Sequence, residues 1–342
     1  MKLQMKYNMH KSLTMNLDDY IYLFCLDSIT KWQLTRTLKR YALNRSLNLL
    51  EENIYGSNGI NILANGAKIN LKKTSFLVID QGDSIVHEFS GKKGTLLYKQ
   101  IEHLRSSYSF QEKIDEINNM LLQLEVIIDK ETLSKFKTVE AALVQMQLED
   151  LLKKIVSFKY KEDGNYCPLE MMDVNELIPD FCELLSQRVI EDQQKTLIWL
   201  INPQNFLSVK ACEYLLDELK ELTKSELLKF VVISDQKFTD NYCYDDVERT
   251  KLIVEDIYEL LPYNDLREIV SSHYPTDFNL TDEQLLASLY RILPLIASER
   301  VYIADKDMVL LKVLGQLLGL PVPKQISTSE LSCLEQRFLT KG

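Results

Sequence analysis

The chain has 342 residues, 46% of them hydrophobic, and a formal net charge of −10. That size supports a large core in two or three packed units, and that composition excludes a disordered chain. The charge is segregated: residues 1–110 carry 15 Lys and Arg against 9 Asp and Glu, residues 111–240 carry 15 against 25, and residues 241–342 carry 10 against 16. The basic first third suggests a surface built for an anion, and ordinary drift in surface composition is the competing account.

Residues 1–9 alternate apolar and polar and predict an edge strand. Tyr20–Leu26 (YIYLFCL) predicts a buried strand. Asp27 or Ser28 then caps a helix from Ile29 to about Leu43, on which Arg36, Lys39 and Arg40 share one face, with Trp32 a turn earlier. Gly56 and Gly59 mark turns in an Asn-rich stretch, and Asn65-Gly66 between two apolar runs signals a hairpin. Phe76–Asp80 (FLVID) is another buried-strand pattern.

Ile85–Phe89 predicts a strand feeding the glycine-flanked loop Ser90-Gly91-Lys92-Lys93-Gly94-Thr95, after which a helix begins near Thr95. Such a junction favours phosphates, because free backbone N–H groups and the helix dipole both point at an anion. It is not a P-loop: Val86 stands where the cradle glycine is needed, and Lys93 rather than Ser or Thr follows Gly91-Lys92.

Tyr108–Ile190 reads as a helical, acidic insertion, with apolar stripes over Ile114–Ile128, Val139–Val156 and Val174–Ile190 and a turn at Asp163-Gly164-Asn165. Glu125, Asp129, Glu131 and Glu140 are candidate ligands for a hard divalent cation; a solvated acidic face is the competing reading. Thr196–Ile201 (TLIWLI) predicts a strand broken by Asn202-Pro203, followed by a helix capped at Ser208 and a second strand, Leu228–Ser234. Two apolar strands joined by one helix form a parallel crossover, hence an α/β sheet.

A polar linker, DQKFTDNYCYDD, follows. The remainder predicts helices over Val247–Leu260, Leu266–Val270, Asp282–Leu293 and Lys306–Leu318, with a strand-like Val301–Ala304 and prolines at 275, 294, 321 and 323.

Little catalytic chemistry is visible. Six scattered cysteines form no CxxC pair, the four histidines do not cluster, and GxSxG, HExxH and GxGxxG motifs are absent. Asp80, Asp83 and Glu88 are the acids near a strand that a nuclease would need, yet paired acids beside turns are usually caps. No apolar run approaches the ~18–20 residues of a membrane span. The N-terminus MKLQMKYNMHKSL lacks the apolar segment of a secretory leader, so a cytoplasmic protein with reduced thiols is expected.

The order of these elements, with LIWLINPQNFLSVKACEYLLDELKEL and TSFLVIDQGDSIVHEFSGKKGTLLYKQIEHL as its most similar parts, resembles the type II-A CRISPR-associated adaptation protein family (Csn-two) over about residues 1–240. The resemblance implies a long variant of that family. Its α/β head (residues 1–105 and 191–240) would carry a sheet like that of a degenerate P-loop ATPase. A long α-helical leg (106–190) and a small C-terminal helical extension (241–342) would complete it. It implies a homotetrameric ring that holds Ca2+, binds double-stranded DNA ends without sequence preference and has no catalytic activity. Such a ring acts in spacer acquisition, the adaptive immunity against foreign DNA, with the CRISPR integrase subunits and effector nuclease. The expected DNA contacts are Arg36, Lys39, Arg40, Lys92, Lys93 and Lys99, and the expected metal ligands are Glu125, Asp129 and Glu140. Two alternatives stand beside it: an NTPase using the Gly91–Thr95 loop, and a protein–protein scaffold without direct DNA contact.

Overall fold

The computed structural model describes residues 1–136, 138–154, 156–162, 164–254, 256–298, 301–321 and 331–340. Backbone packing divides the chain into two compact units, residues 1–82 with 189–342, and residues 83–188.

The first unit opens with strands β1 (Lys2–Lys6), β2 (Ser12–Asn16) and β3 (Tyr20–Cys25), followed by helices α1 (Ser28–Ala42) and α2 (Leu49–Tyr55). Strands β4 (Ile62–Ala64), β5 (Ala67–Lys68) and β6 (Thr74–Ile79) come next. Asp27 caps α1, its carboxylate accepting from Ile29 N at 3.0 Å and Thr30 N at 2.9 Å. Asn65 and Gly66 both take positive φ, 50° and 81°, so the Asn-Gly pair makes the two-residue turn expected of it. Residues 1–9 are not an edge: β1 lies inside a four-stranded antiparallel sheet of order β2-β1-β4-β5. Strand β2, which the sequence pattern did not disclose, covers its outer side.

The second unit begins with α3 (Gly82–Glu88), where a strand was expected over 85–89, and α4 (Leu96–Glu102). Then follow α5 (Tyr108–Ile128), α6 (Leu148–Lys154), the hairpin β7 (Lys159–Glu162) and β8 (Asn165–Pro168), and α7 (Val174–Ser186). The insertion is therefore not all helix. Residues 139–147 form no regular element within the stripe read as a helix over 139–156, and Asp163 of the expected turn lies outside the described residues. Tyr98, Leu148 and Leu152 form a small core, with Phe110 and Phe158 packed against it.

The chain then completes the first unit with β9 (Lys195–Ile201), α8 (Val209–Thr223), β10 (Leu228–Ser234), α9 (Tyr244–Glu248), β11 (Thr250–Ile253) and β12 (Ile257–Glu259). Helices α10 (Tyr263–His273), α11 (Asp282–Ile292), α12 (Asp305–Leu318) and α13 (Cys333–Thr340) follow. The central sheet has six strands in the order β12-β11-β3-β10-β9-β6, parallel except for β12. The expected crossover β9–α8–β10 is present, with β9 ending at Ile201 and Ser208 Oγ accepting from Ala211 N.

Alternation along β3 serves two cores, because successive side chains leave a strand on opposite faces. Ile21, Leu23 and Cys25 join Leu3, Met5, Leu34, Leu38 and Trp199 in one. Tyr20, Tyr22 and Phe24 face an aromatic cluster on the other side, where Tyr20 stacks on Phe230 and Tyr242 on Tyr290 at 4.2 Å. Phe238 and Tyr242 are buried, so residues 235–246 are packed chain rather than a linker.

Residues 241–342 are not a separate helical appendage. The expected helix over 247–260 contains β11, which pairs with β3, and β12, whose Glu259 pairs with Lys251 across the ladder. Val301–Ala304 forms no strand, and Pro323 lies outside the described residues. Asp246 fixes this junction: it is fully buried and accepts from Tyr20 Oη at 2.6 Å, Lys220 Nζ at 3.0 Å and Cys243 N at 2.8 Å. Burial is tolerated because each oxygen has a partner.

Candidate nucleic-acid interface

An α/β sheet opens its ligand crevice outside the C-terminal ends of two neighbouring strands whose connections run in opposite directions. Here those strands are β3, which leads to β6, and β10, which leads to β11 on the far side of β3. The crevice is occupied by the protein's own charges. After Cys25 the chain runs through Leu26 and Asp27 directly into α1, with no glycine loop. The Asp27 carboxylate takes the first free N–H groups of that helix, and the Thr30 hydroxyl donates to it, holding it below the usual carboxylate range. Lys31 is paired with Asp235 at the end of β10.

The Gly/Lys loop is filled in a similar way. Helix α3, not a strand, leads into it, and Glu88 Oε2 accepts from Leu96 N at 2.9 Å at the start of α4. Burial pushes the Glu88 carboxyl up to about 7, against the pull of that N–H. A carboxylate thus stands where a phosphate was expected. Gly91 has a packing reason: a Cβ there would lie 2.7 Å from the Phe158 ring. Lys92 and Lys93 are exposed and make no ion pair among the described residues, whereas Lys99 pairs with Glu102 at 2.9 Å.

On α1 the three expected cations have different surroundings. Arg36 lies 4.5 Å above the exposed Trp32 ring and donates to Tyr55 Oη at 3.1 Å. Lys39, half exposed, pairs with Asp80 at 2.9 Å. Arg40 is locked: Nε and Nη2 grip Glu51 at 2.6 and 3.0 Å, and its other donors reach Arg45 O and Ser46 O. Arg40 therefore shapes the loop after α1 instead of presenting its charge.

That loop walls a cavity of about 560 Å³. Arg40, Arg45, Lys68 and Lys72 line it over a floor of Tyr41 and Ile60, and no lining residue is acidic. Tyr41 Oη donates to Ile69 O at 2.9 Å and ties the floor to the segment after β5. Arg45, Lys68 and Lys72 are exposed and make no ion pair among the described residues. Sequence reasoning missed all three, because the loop after α1, strand β5 and the segment after it bring together residues far apart in the chain. A signal was available: between Asp27 and Asp80 the only carboxylates are Glu51 and Glu52, against eight Lys and Arg.

Two of the expected metal ligands are engaged with backbone. Glu125 Oε2 accepts from Leu143 N at 2.8 Å and Asp129 Oδ1 from Ala141 N at 2.7 Å, so both hold backbone. Glu140 and Glu131 are exposed. Among the described residues no three His, Cys, Asp or Glu side chains converge as a metal site.

These features define an α/β protein with a mixed six-stranded sheet, a switch-point crevice that holds Asp27 and the Lys31–Asp235 pair, and an open cationic cavity. No family model matches the chain, and no curated protein matches it. Among solved structures it is similar to the crystal structure of Stu0660 of Streptococcus thermophilus, with a TM-score of 0.82 at 19% identity. The match covers 99% of this chain and 100% of that one, so the shared fold extends into the described residues after 240. At that identity the likeness is one of fold. Among the described residues no helix is long and apolar enough to cross a membrane.

Proposed function

We propose that this protein is a non-catalytic, sequence-independent binder of double-stranded DNA ends. In this reading it forms a homotetrameric ring in the cytoplasm and serves CRISPR spacer acquisition with the integrase subunits and the effector nuclease. The observation that carries the reading is the surplus of cations between Asp27 and Asp80, of which Arg45, Lys68 and Lys72 are exposed without a carboxylate partner among the described residues. Cations of this kind displace condensed counterions from DNA, which gives affinity without sequence preference. The family resemblance supplies the CRISPR setting. The exposed Leu124, Ile127 and Ile128 on α5 favour assembly, since an apolar helix face in water gains by burial against another copy.

The non-catalytic reading is favoured over an NTPase by Asp27 and Glu88, whose carboxylates stand at the two helix starts where phosphates would bind. The calcium implied by the resemblance has no ligand set assigned to it; loss of the tetramer on chelation is its test.

The deciding experiment compares linear and closed-circular duplex by sedimentation across a salt series. Linear DNA binds, closed circles bind weakly, and affinity falls steeply with salt. Lys92→Glu with Lys93→Glu lowers the logarithmic salt slope by about 2, one per lost phosphate contact. Equal binding of circles removes the end-binding claim, and an unchanged slope removes these two lysines from the interface.

A further inference from the structure

We infer that the cavity at the C-terminal end of α1 is a receptor for a 5′-phosphorylated terminal nucleotide; this rests on, and deepens, the DNA-end reading. Its volume of about 560 Å³ lies within the roughly 300–1,000 Å³ of small-molecule pockets. A duplex cannot enter a space of that size, but one nucleotide unpaired by fraying at an end can.

The lining suits the two halves of such a group. Arg45, Lys68 and Lys72 offer three cations with no carboxylate in the wall to compete for them. A terminal phosphate monoester carries close to two negative charges at neutral pH, one more than an internal phosphodiester, so the cluster favours the end over the body of the strand. Ionic hydrogen bonds to phosphate are the strong ones, and arginine binds its oxygens in pairs. The base has an apolar floor, Tyr41 with Ile60, and Asn44 and Asn70 also line the cavity, Asn70 Oδ1 accepting from Lys72 N at 2.9 Å.

Rigidity supports a built receptor. Arg40 grips Glu51 and the carbonyls of Arg45 and Ser46, which fixes the loop carrying Arg45. Tyr41 Oη holds Ile69 O, fixing the segment that carries Lys68 and Lys72. The cations therefore project from walls braced by hydrogen bonds, and little ordering is left for the ligand to impose.

The test measures binding of blunt duplexes that differ only in a 5′-phosphate or 5′-hydroxyl, with deoxyadenosine 5′-monophosphate and deoxyadenosine as free competitors. The wild-type protein prefers the phosphorylated end by about tenfold, the worth of one charge-assisted contact set. The monophosphate competes at that end and the nucleoside does not. Lys68→Ala with Lys72→Ala brings the ratio of the two affinities to one, with an unchanged thermal melt showing that the fold persists. Equal affinities for the two ends in the wild type overturn the inference, as does a preference that survives the double variant. If neither duplex binds but the monophosphate binds and is lost in the variant, the cavity stands as a nucleotide site and the DNA-end reading falls. If neither duplex nor monophosphate binds, both fall.

Discussion

Arg40 and Glu51 show how one ion pair can organise a surface. Glu51 serves two masters: it completes the capping box of α2 with Asn48, and it receives the Arg40 guanidinium. The hydrogen bonds from Arg40, then the Asn48 N–H, draw its carboxyl down to about 2 from an ordinary 4.5. Its contribution to stability is therefore fully present above pH 4.5 and lost as pH falls through about 2. Glu51→Gln should lower the denaturation midpoint by a constant amount above pH 4.5, with the gap to wild type closing towards pH 2. A gap that closes instead near neutrality would contradict this pairing. Some residue-level signals were legible without coordinates: Asp27 as a cap and Asn65-Gly66 as a turn follow from local chemistry alone. Arg40 as a loop clamp was not, since the sequence shows a shared helix face but not that Glu51 would reach it.

Helix α5 replaces a strand partner with side chains. Asn118, Glu125 and Asp129 accept from the backbone N–H groups of Met146, Leu143 and Ala141 in turn, so an extended segment runs antiparallel along the helix. This ladder satisfies backbone groups that have no sheet to join. Glu125→Ala with Asp129→Ala should speed hydrogen exchange at Leu143 and Ala141 by tenfold or more, about 1.4 kcal/mol of local opening, while leaving the global melt nearly unchanged. Glu125→Gln with Asp129→Asn keeps acceptor oxygens and should stay close to wild type, which a charge-dependent ion site would not. At this scale the long periodic elements, α1, α5, α7, α8 and the β9–β10 crossover, were readable. Residues 85–89 were not, because five residues with Ile85, Val86 and Phe89 as their apolar positions fit a strand as well as a helix. Nor was β11: four residues in an acidic neighbourhood carry too little pattern, and pairing with β3 decides their fate.

For the whole molecule, the C-terminal hundred residues are part of the sheet unit. They supply β11 against β3, the Tyr290 side of the aromatic cluster, and the buried Asp246 to which Tyr20 and Lys220 are anchored. A chain ending at residue 240 should therefore fail to fold as a stable head: it removes Tyr242 and Tyr290 from the aromatic cluster, takes Asp246 from Tyr20 and Lys220, and strips β3 of a neighbour. The readouts are exposed-surface dye binding and loss of a cooperative melt; a soluble, cooperatively melting 1–240 fragment would contradict this. The match to Stu0660 likewise continues past residue 240, so the fold shared with it is not confined to residues 1–240.

The position of β3 also sets the timing of biogenesis. It is made within the first 25 residues, yet its two sheet neighbours, β10 and β11, are made about two hundred residues later. At roughly 5–20 residues per second, the ribosome leaves this wholly apolar strand without its sheet partners for some 10–40 seconds. During that interval YIYLFC is a sticky segment in the nascent chain, and rare codons or slow translation across residues 26–228 would lengthen its exposure. Yield in a host short of chaperones is thus expected to depend more on elongation speed than on the stability of the finished protein.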